Sequence, residues 1–556
     1  MTELESAATK KSIRTQVMLA IAGAFLFLPF LGKVHLFDWD EINFAECARE
    51  MIAAKQYFLV TINYLPFWEK PPFFIWMQAL SMKLFGVSDY AARLPNAICG
   101  IATILLLYNV GTRLKNKRFG LFWVLAYVGS LLPHFYFKSG IIDPWFNFFI
   151  FLGVYFFMRF QLHKKNIMPG KTWYFAMSAF CIGVAMLTKG PVAFLVFSIT
   201  AFIYWLLEKR RAIISIPQAL VYLIVLFTAG GIWFALEVAT GHWETIKQFF
   251  EYQVRLFNTE DSGHGGPFYY HFIILLIGCF PASVFAIRGM MVKQTDDKMR
   301  EANRWFKILF WVVLILFSIV KTKILHYSSL CYYPLTFFAA IAAYELFEKS
   351  IAWKKWMGWM LGIIGGLLGI ALAMLPLAGM NKEKLIPLMD DPFAAANLQA
   401  DVNWTYLDSI VGFILLVSVI SALIFIKRGK VTNGVITFFV GTLITTNLAL
   451  SVIAPKIELF TQQAAVEFYQ SLQGKDVYVC TLEFKSFAQY FYSDEQPWKN
   501  PNCTNADWLL HGDIDKPAYF VSKITSVTNI EKQYPELKEL YRKNGFVFYE
   551  RVPKVQ

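Results

Sequence analysis

The chain has 556 residues, of which 57% are hydrophobic and 16% charged, and its formal net charge is +13. Soluble proteins carry about 25% charged residues, and apolar runs long enough to cross ~30 Å of hydrocarbon recur along this sequence, which excludes a soluble globular protein. The excess of positive charge does not indicate nucleic-acid binding, because most of the Lys and Arg residues lie in short loops between apolar segments. The sequence therefore predicts a mostly α-helical, multi-pass membrane protein.

Thirteen transmembrane spans are predicted. The first lacks a small-residue cleavage site, which favours a retained span over a signal peptide. Gly190-Pro191 marks a turn and divides one long apolar stretch into two spans. The spans lie at about 16–36, 92–112, 118–134, 142–160, 172–188, 190–207, 213–236, 268–288, 304–320, 328–346, 355–378, 407–426 and 434–454.

Basic residues predict the orientation of these spans, because they precede the first span and then recur after every second one. Cytoplasmic loops of membrane proteins are enriched in Lys and Arg. We therefore expect the N-terminus in the cytoplasm, the C-terminus outside, and the protein in the cytoplasmic (inner) membrane. The basic positions are Lys10, Lys11, Arg14, Arg113, Lys115, Lys117, Arg118, Arg159, Lys164, Lys165, Lys171, Lys209, Arg210, Arg211, Arg288, Lys293, Lys298, Arg300, Arg304, Lys307, Lys354, Lys355, Lys427, Arg428 and Lys430.

Two domains are predicted: a transmembrane domain over 1–455 and a small extracytoplasmic α/β domain over 456–556. The long first outer loop, 37–91, contains a near-helical apolar pattern over 41–54, which is typical of an interfacial helix, and a short apolar segment over 72–85. In the tail we predict strands at 475–480, 518–522 and 546–549 and a helix over 529–543. If the tail lies outside, Cys480 and Cys503 either form a disulfide or remain free.

The first chemical candidates are Asp40 and Glu41, which directly follow the outer end of the first span. Ionisable groups at a membrane boundary are costly unless they are paired or used. Such a carboxylate acts as a general base, binds a cation, or provides a favourable charge at a helix N-terminus. The start of one helix needs fewer carboxylates than the three found here, Asp38, Asp40 and Glu41. At least one of them is therefore a candidate for function.

A second pair, Glu69-Lys70, lies between Trp68 and Pro71 in the same outer loop. In a soluble protein such a pair is usually a solvated surface feature. At a membrane interface the Lys is suited to hold a phosphate, and the Glu to bind a divalent metal or to keep the Lys charged. Asp143, which precedes Pro144 at the head of the fourth span, is either a helix cap or a second functional carboxylate facing the same outer side.

Two later outer segments carry further candidates. In the loop 249–267, Arg255 is suited to bidentate phosphate contacts, and His264 is either a metal ligand or a polar loop residue. Between the ninth and tenth spans, Lys321 and Lys323 run against the positive-inside trend, with Tyr327 close behind. These lysines either snorkel to the interface or bind a lipid phosphate.

Taken in order, these motifs resemble a known group. They are Asp40-Glu41, the run Phe44-Ala-Glu-Cys-Ala-Arg-Glu-Met51, Glu69-Lys-Pro-Pro72, Asp143, His264-Gly-Gly-Pro267 and the Lys321-x-Lys323 to Tyr327 turn. The pattern resembles the bacterial 4-amino-4-deoxy-L-arabinose lipid A transferases and the related protein O-mannosyltransferase-like enzymes, which have the type-C glycosyltransferase fold. The resemblance covers about residues 15–455 and includes the number of spans.

The resemblance implies an enzyme that transfers a sugar from a polyprenyl-phosphate donor to a lipid A, glycan or protein acceptor on the outer side, with inversion at the anomeric carbon. It implies Asp40 and Asp143 as catalytic residues and Lys70, Arg255, Lys323, Tyr327 and Glu41 as contacts to the substrate or the carrier phosphate. It also implies a divalent metal ion held by Glu69 and His264.

Three departures from the family pattern leave the sugar and the acceptor open. Asn43-Phe44 stands where the lipid A transferases often have Arg-Tyr, Phe67 replaces a common Tyr, and the segment 323–327 lacks the usual Pro.

From another functional class, the alternative is a transporter or flippase of lipid-linked sugar, since transporters also bind such ligands between helices. Transporters place polar sites near the bilayer midplane, whereas the candidates here cluster at the outer boundary, which favours the enzyme. The expected partners are membrane lipids, the sugar donor and the acceptor, without nucleic acid, and the protein is expected to be a monomer.

Overall fold

The computed structural model describes residues 3–168, 171–209, 214–260 and 265–554. Long helices dominate up to Glu458, and a small four-stranded sheet follows. The elements of the N-terminal part are α1 (Glu3–Phe27), α2 (Asp40–Ala54), β1 (Thr61–Ile62), β2 (Leu65–Pro66), α3 (Phe73–Phe85), α4 (Asp89–Leu114), α5 (Lys117–Val128), α6 (Leu131–Phe135), α7 (Asp143–Lys164), α8 (Trp173–Lys189), α9 (Val192–Leu207), α10 (Ile216–Ala239) and α11 (Trp243–Asn258).

The second half continues in the same way. Its elements are α12 (Tyr270–Gly278), α13 (Ala282–Met290), α14 (Asp297–Ile319), α15 (Tyr332–Phe347), α16 (Lys355–Met380), α17 (Lys382–Leu385), α18 (Pro392–Asn397), α19 (Ile410–Lys427), α20 (Val431–Leu448), α21 (Ala454–Glu458), α22 (Gln463–Ser471), β3 (Tyr478–Leu482), α23 (Ala488–Ser493), α24 (Ala506–His511), β4 (Ala518–Lys523), α25 (Val527–Gln533), β5 (Lys538–Lys543) and β6 (Phe546–Arg551). Short 3-10 helices cover Tyr136–Lys138, Leu325–Cys331, Ile386–Leu388, Tyr406–Ser409, Pro501–Thr504 and Ile524–Ser526, and Ala449–Ile453 is a π-helix.

Each of the thirteen predicted spans coincides with a helix or a bent pair of helices. Among the described residues, eight helices are long and apolar enough to cross a membrane by themselves. Two further predicted spans are bent pairs: Lys117–Val128 with Leu131–Lys138 at 85°, and Tyr270–Gly278 with Ala282–Met290 at 109°. The remaining three coincide with shorter apolar helices, Ile13–Phe27, Trp173–Lys189 and Val192–Leu207. The prediction of a polytopic helical membrane protein is confirmed.

The helix predicted at the start of the first loop is present as α2, but it is more buried within the protein than an interfacial helix would be. Eleven of its fifteen residues are buried, so neither a lipid-facing nor a water-facing side remains along most of its length. Its apolar residues share one core with the C-terminal part of the chain, in which Phe44 and Met51 join Phe468, Tyr469 and others. The tail therefore sits directly on the first loop.

The tail contains the predicted α/β fold, with one correction. The sheet order is β3-β4-β6-β5, with β3 and β4 parallel and the other pairs antiparallel. The helix predicted over 529–543 is wrong in its second half, because the helix ends at Gln533 and Lys538–Lys543 form the edge strand β5. Pro535 stops the helix, and Asn544-Gly545, both at positive φ, form the tight turn of a hairpin. Cys480 and Cys503 are both free thiols.

Candidate active site

Asp40 is the first residue of α2, and its carboxylate is not occupied in capping that helix. The N-cap position is Trp39, without a side-chain cap hydrogen bond. The Asp40 side chain is 35% exposed, and its Oδ2 lies 3.4 Å from Nε2 of His326. Asp40 therefore lies in the first turn of α2, where its charge suits the helix N-terminus, and its partly exposed carboxylate also faces the segment after α14.

His326 brings Asp40 and Asp143 together. Its Nε2 lies 3.6 Å from Oδ2 of Asp143, whose side chain is buried at the first residue of α7. The other carboxylate oxygen, Oδ1, accepts a hydrogen bond of 2.7 Å from the Lys189 ammonium. Lys189 is the last residue of α8, so a cation at a helix C-terminus meets an anion at a helix N-terminus, as both helix dipoles favour. Asp40, His326, Asp143 and Lys189 form what we call the polar junction.

Lys70 completes the positive side of a cavity beside the polar junction. This cavity of about 240 Å³ is lined by Lys70, Lys189, Asp143 and Tyr327 together with apolar residues of α9 and α14. Burial lowers the pKa of Lys70. The carboxylates of Glu69, Asp40 and Asp143 oppose this shift, but the net shift is downward. Its ammonium also lies 5.2 Å from the ring centre of Tyr252. Two lysines in one largely apolar cavity are suited to an anion attached to a hydrophobic group. We call it the cationic cavity.

An apolar groove lies next to the cationic cavity, along the seam between α9 and α14. The cavity is lined by Leu195 of α9 and Phe317 of α14, and the groove of about 380 Å³ by Ile199 and Ile203 of α9 and by residues from Lys307 to Ile319 of α14. Leu195, Ile199 and Ile203 are spaced four residues apart, so they lie on one helix face. From Val192 to Ile203 the seam is about 17 Å long at 1.5 Å per helical residue.

A second cavity lies on the other side of the polar junction. It measures about 230 Å³, and its walls are mostly apolar, with His326, Lys138 and Arg93 among them. The Lys138 ammonium donates to the carbonyl oxygen of Pro29 at 3.0 Å and is half-buried. The polar junction thus borders two cavities, since His326 lines this one and Asp143 and Lys189 line the cationic one.

Comparisons with known proteins agree with this architecture. Residues 69–233 match the family model described as dolichyl-phosphate-mannose-protein mannosyltransferase. Among curated proteins, the undecaprenyl phosphate-alpha-4-amino-4-deoxy-L-arabinose arabinosyl transferase of Pectobacterium atrosepticum is 24% identical over 426 residues, which cover 71% of this chain and 73% of the relative. The protein of the same name from Wigglesworthia glossinidia brevipalpis is 26% identical over 327 residues, 57% of each chain.

A solved structure matches almost the whole chain. The crystal structure of ArnT from Cupriavidus metallidurans bound to undecaprenyl phosphate superimposes with a TM-score of 0.74 at 17% sequence identity, covering 97% of this chain and 99% of that one. The apo structure of the same protein gives a TM-score of 0.73. The chain therefore has the fold of this solved protein. The resemblance predicted from the sequence motifs is thereby confirmed.

Within this fold, Glu41 is engaged inside the protein. Its carboxylate is buried and accepts two hydrogen bonds from Arg93, at 3.0 and 2.7 Å, and further ones from the backbone N–H groups of Phe37 and Gly140. Burial raises and the Arg93 guanidinium lowers the pKa of Glu41, and the net shift is downward. Glu41 therefore fixes the start of α2, and with it Asp40, against α4.

Lys323 is likewise bound within the protein, by carbonyl groups close to it in the sequence. Its ammonium donates to the carbonyl oxygens of Phe317 at 3.2 Å, Ser318 at 2.7 Å and Val320, and so caps the C-terminal end of α14. Burial lowers the pKa of Lys323. Tyr327 lines the cationic cavity, with the Lys189 ammonium 5.2 Å from its ring centre. Lys323 thus holds the backbone that carries His326 and Tyr327.

Arg255 and Glu69 lie near the cationic cavity's rim. Arg255 is exposed on α11, with its guanidinium 5.0 Å from the ring centre of Tyr252. Glu69 lies 4.0 Å from the Lys70 ammonium, and the described residues contain no group of three or more His, Cys, Asp and Glu side chains suited to a metal. His264, the second predicted ligand, lies outside the described residues. The described residues around Glu69 therefore do not assemble a metal site on their own.

Sequence reasoning missed two members of the polar junction and one anchor. Lys189 lies in the run Thr188-Lys-Gly-Pro191. This run indicates a break between helices and gives no sign that its Lys has a functional partner. His326 lies between Lys323 and Tyr327, and in this segment the lysines give the stronger sequence signal. Arg93, buried within α4, had one signal: an Arg among the apolar residues of a helix needs a partner, and here that partner is Glu41.

Proposed function

We propose that this protein is an inverting glycosyltransferase, which moves a sugar from a polyprenyl-phosphate donor to a lipid-linked acceptor at the outer face of the cytoplasmic membrane. One observation carries the proposal: the polar junction, with Asp40 and Asp143 on either side of His326, borders a second cavity and a cationic cavity, and an apolar groove lies next to the cationic cavity along the same two helices. Such an arrangement accommodates two lipid-linked substrates with their reacting ends together.

The donor's anionic and apolar parts each have a matching surface. The phosphate lies between Lys70 and Lys189, and the prenyl chain follows the groove between α9 and α14, whose lining is almost entirely apolar apart from Lys307. The relatives are named for undecaprenyl phosphate-linked aminoarabinose, and the similar solved structure holds undecaprenyl phosphate. We accordingly take an undecaprenyl-phosphate-linked aminopentose as the donor.

The transfer needs little acid catalysis, because a phosphate is a good leaving group. An acceptor oxygen attacks the anomeric carbon, the bond from that carbon to the phosphate oxygen breaks, and polyprenyl phosphate departs with the electron pair. Lys70 and Lys189 stabilise the charge that grows on it. If the acceptor is a hydroxyl group, Asp40 accepts its proton; if the acceptor is a phosphate, Asp40 only orients it.

Asp143 acts at the same place through a different contact. Because its Oδ1 holds the Lys189 ammonium and its Oδ2 faces His326, it positions the cation that meets the donor phosphate. Tyr327 and Arg255 are proposed as further donor contacts, the first in the wall of the cationic cavity and the second at its rim. Glu41 and Lys323 support the site by holding Asp40 and the His326 segment in place.

The second cavity suits a glycolipid acceptor of the lipid A type. Its apolar walls match acyl chains, while Lys138 offers a cation for an acceptor phosphate. The predicted orientation, with an odd number of spans, places this cavity and the tail outside the cytoplasm. A protein or glycan acceptor uses the same chemistry.

Labelled-sugar transfer tests this proposal. Envelope membranes containing the wild type or Asp40→Asn receive a radiolabelled polyprenyl-phosphate-linked aminopentose, and the label is followed into glycolipid, glycan and protein fractions. Exposed Asp390→Asn is the matched control. We expect label in the glycolipid fraction with the wild type and the control only. Equal transfer by Asp40→Asn contradicts the site assignment, and movement of unaltered donor across the membrane without transfer supports a flippase instead.

A further inference from the structure

The tail contains a polar cavity that is separate from the polar junction. It measures about 440 Å³ and is formed by the loop after α23, the start of β3 and the turn before β4. This volume is within the range of small-molecule sites, about 300–1,000 Å³. Aromatic, amide and charged side chains line it together: Tyr478, Trp498, Gln496, Glu495, Lys499 and Lys516.

The charges around this tail cavity nearly balance. Three lysines, Lys475, Lys499 and Lys516, face four carboxylates, Asp476, Asp494, Glu495 and Asp515. Part of this charge is already paired, since Lys516 lies 2.8 Å from Asp476 and the Tyr478 hydroxyl donates to Asp515 at 2.8 Å. A site with both signs in near balance is poorly suited to a simple ion of either sign. It is well suited to a ligand with many groups that both donate and accept hydrogen bonds.

Glu495 and Trp498 give the cavity an unused acceptor and an apolar surface. Among the described residues, the Glu495 carboxylate has no hydrogen-bond or ion-pair partner, although its backbone carbonyl accepts from Tyr64 at 2.8 Å. Burial raises the pKa of Glu495 to about 7. The indole N–H of Trp498 donates to the carbonyl oxygen of Asn63 at 3.2 Å, and within the described chain no aromatic ring stacks on its face. The ring is thus fixed at one edge with its face unstacked.

We propose that this tail cavity binds a saccharide, with the sugar ring against the Trp498 indole and its hydroxyl groups hydrogen-bonded to Glu495, Gln496 and Lys499. Sugar rings carry an apolar C–H face and a rim of hydroxyls, which match an aromatic face surrounded by carboxylate, amide and ammonium groups.

The tail cavity is connected to the polar junction by a single helix. Asp494 in its wall lies 3.1 Å from the guanidinium of Arg49, and Arg49 belongs to α2, whose first residue is Asp40. Arg49 is nine positions after Asp40, a rise of about 14 Å along the helix. We place this saccharide on the acceptor side of the reaction, which rests on the proposed function. The sugar comes either from a glycolipid headgroup or from a free oligosaccharide.

Binding without turnover tests this inference. Full-length protein in a detergent without a sugar headgroup is mixed with the disaccharide of N-acetylglucosamine, and saturation-transfer difference NMR reports contact. We expect saturation of the ring protons with the wild type and about tenfold weaker binding with Glu495→Gln or Trp498→Ala, which corresponds to about 1.4 kcal/mol. Glu531→Gln, an exposed carboxylate of the same domain, is the matched control. Equal melting temperatures show that the variants fold.

The outcomes separate this inference from the proposed function, because no sugar donor is present. If the free disaccharide binds in a Trp498-dependent way, a free oligosaccharide suffices. If only a glycolipid in mixed micelles binds, again depending on Trp498, the ligand is a lipid headgroup. Absence of both kinds of binding overturns the inference. So does binding that the variants do not weaken, or that excess undecaprenyl phosphate displaces, since the sugar then occupies the donor site.

Discussion

The Lys189 ammonium lies 2.7 Å from Oδ1 of Asp143, so that the end of α8 and the start of α7 are joined by a largely buried ion pair beside the proposed reaction centre. Removing one partner of such a pair leaves an uncompensated charge, which costs about 3–5 kcal/mol. We expect Lys189→Met to lower the melting temperature in detergent strongly and Lys189→Met/Asp143→Asn to recover much of the loss. Additive losses in this double-mutant cycle would contradict a direct pair.

Lys70 and Lys138 are predicted to serve different substrates. Lys70→Gln removes a cation from the cationic cavity, and losing a hydrogen bond to a charged group costs about 1.5–3 kcal/mol, so undecaprenyl phosphate should bind at least about tenfold more weakly. Lys138→Gln, a matched change in the other cavity, should leave that affinity unchanged. Binding of labelled undecaprenyl phosphate to purified protein measures both. Equal weakening by the two substitutions would show that the cavities are not divided in this way.

The groove between α9 and α14 should sense the length of the donor's lipid. Ile199→Trp fills the groove, and Phe202→Trp, at an exposed position of the same helix outside the groove, is its control. Overpacking costs about 1–3 kcal/mol, so we expect Ile199→Trp to raise the KM for a full-length undecaprenyl donor about tenfold. A donor with a prenyl chain too short to reach Ile199 should be used normally. An equal effect on both donors would place the lipid elsewhere.

Glu50, which is buried in the first loop, is predicted to make the protein's stability sensitive to pH. Burial and the nearby Glu46 raise its pKa from 4.5 to about 9. The folded state therefore binds this proton more tightly than the unfolded state, so stability falls as the pH rises from about 4.5 to 9. One pKa unit corresponds to about 1.4 kcal/mol.

Glu50→Gln mimics the protonated carboxyl group, and its side-chain oxygen should still accept hydrogen bonds from the Thr61 hydroxyl and the Tyr64 N–H. We expect it to raise the melting temperature more at pH 8 than at pH 5, relative to the wild type at each pH. Glu531→Gln, at an exposed position, should show no such dependence. A larger gain at pH 5 would have the wrong sign for a raised pKa.

Much of the fold was predictable, because long apolar runs and basic loops report directly on membrane spans. The edge strand β5 was not, since Lys538-Glu-Leu-Tyr-Arg-Lys543 is as charged as a surface helix and only the hairpin turn Asn544-Gly545 reveals it. The two bent pairs are also invisible to hydropathy, because each half is apolar. The bends lie at Gly129-Ser130 and at the segment 279–281.

The candidate site was predictable where charge stood out against an apolar background. Asp40, Lys70 and Asp143 were identified in this way, and the structure gathers them around one cavity and its rim. Lys189 and His326 required three-dimensional packing, because their sequence neighbours suggest a turn and a phosphate contact. For Glu41 and Lys323 the sequence shows a charge but not its partner. In the structure, Glu41 pairs with Arg93, and Lys323 donates to backbone carbonyls.

The most direct measurement is single-turnover transfer by purified protein in liposomes, with Asp40→Asn as the variant and Asp390→Asn as the control. Undecaprenyl-phosphate-linked aminopentose and a glycolipid acceptor are supplied, and released undecaprenyl phosphate and glycosylated acceptor are both counted. The account predicts equal amounts of the two products from the wild type and the control, and a rate at least about 100-fold lower for Asp40→Asn with unchanged donor binding. Undiminished, stoichiometric transfer by Asp40→Asn would contradict the central role of this carboxylate.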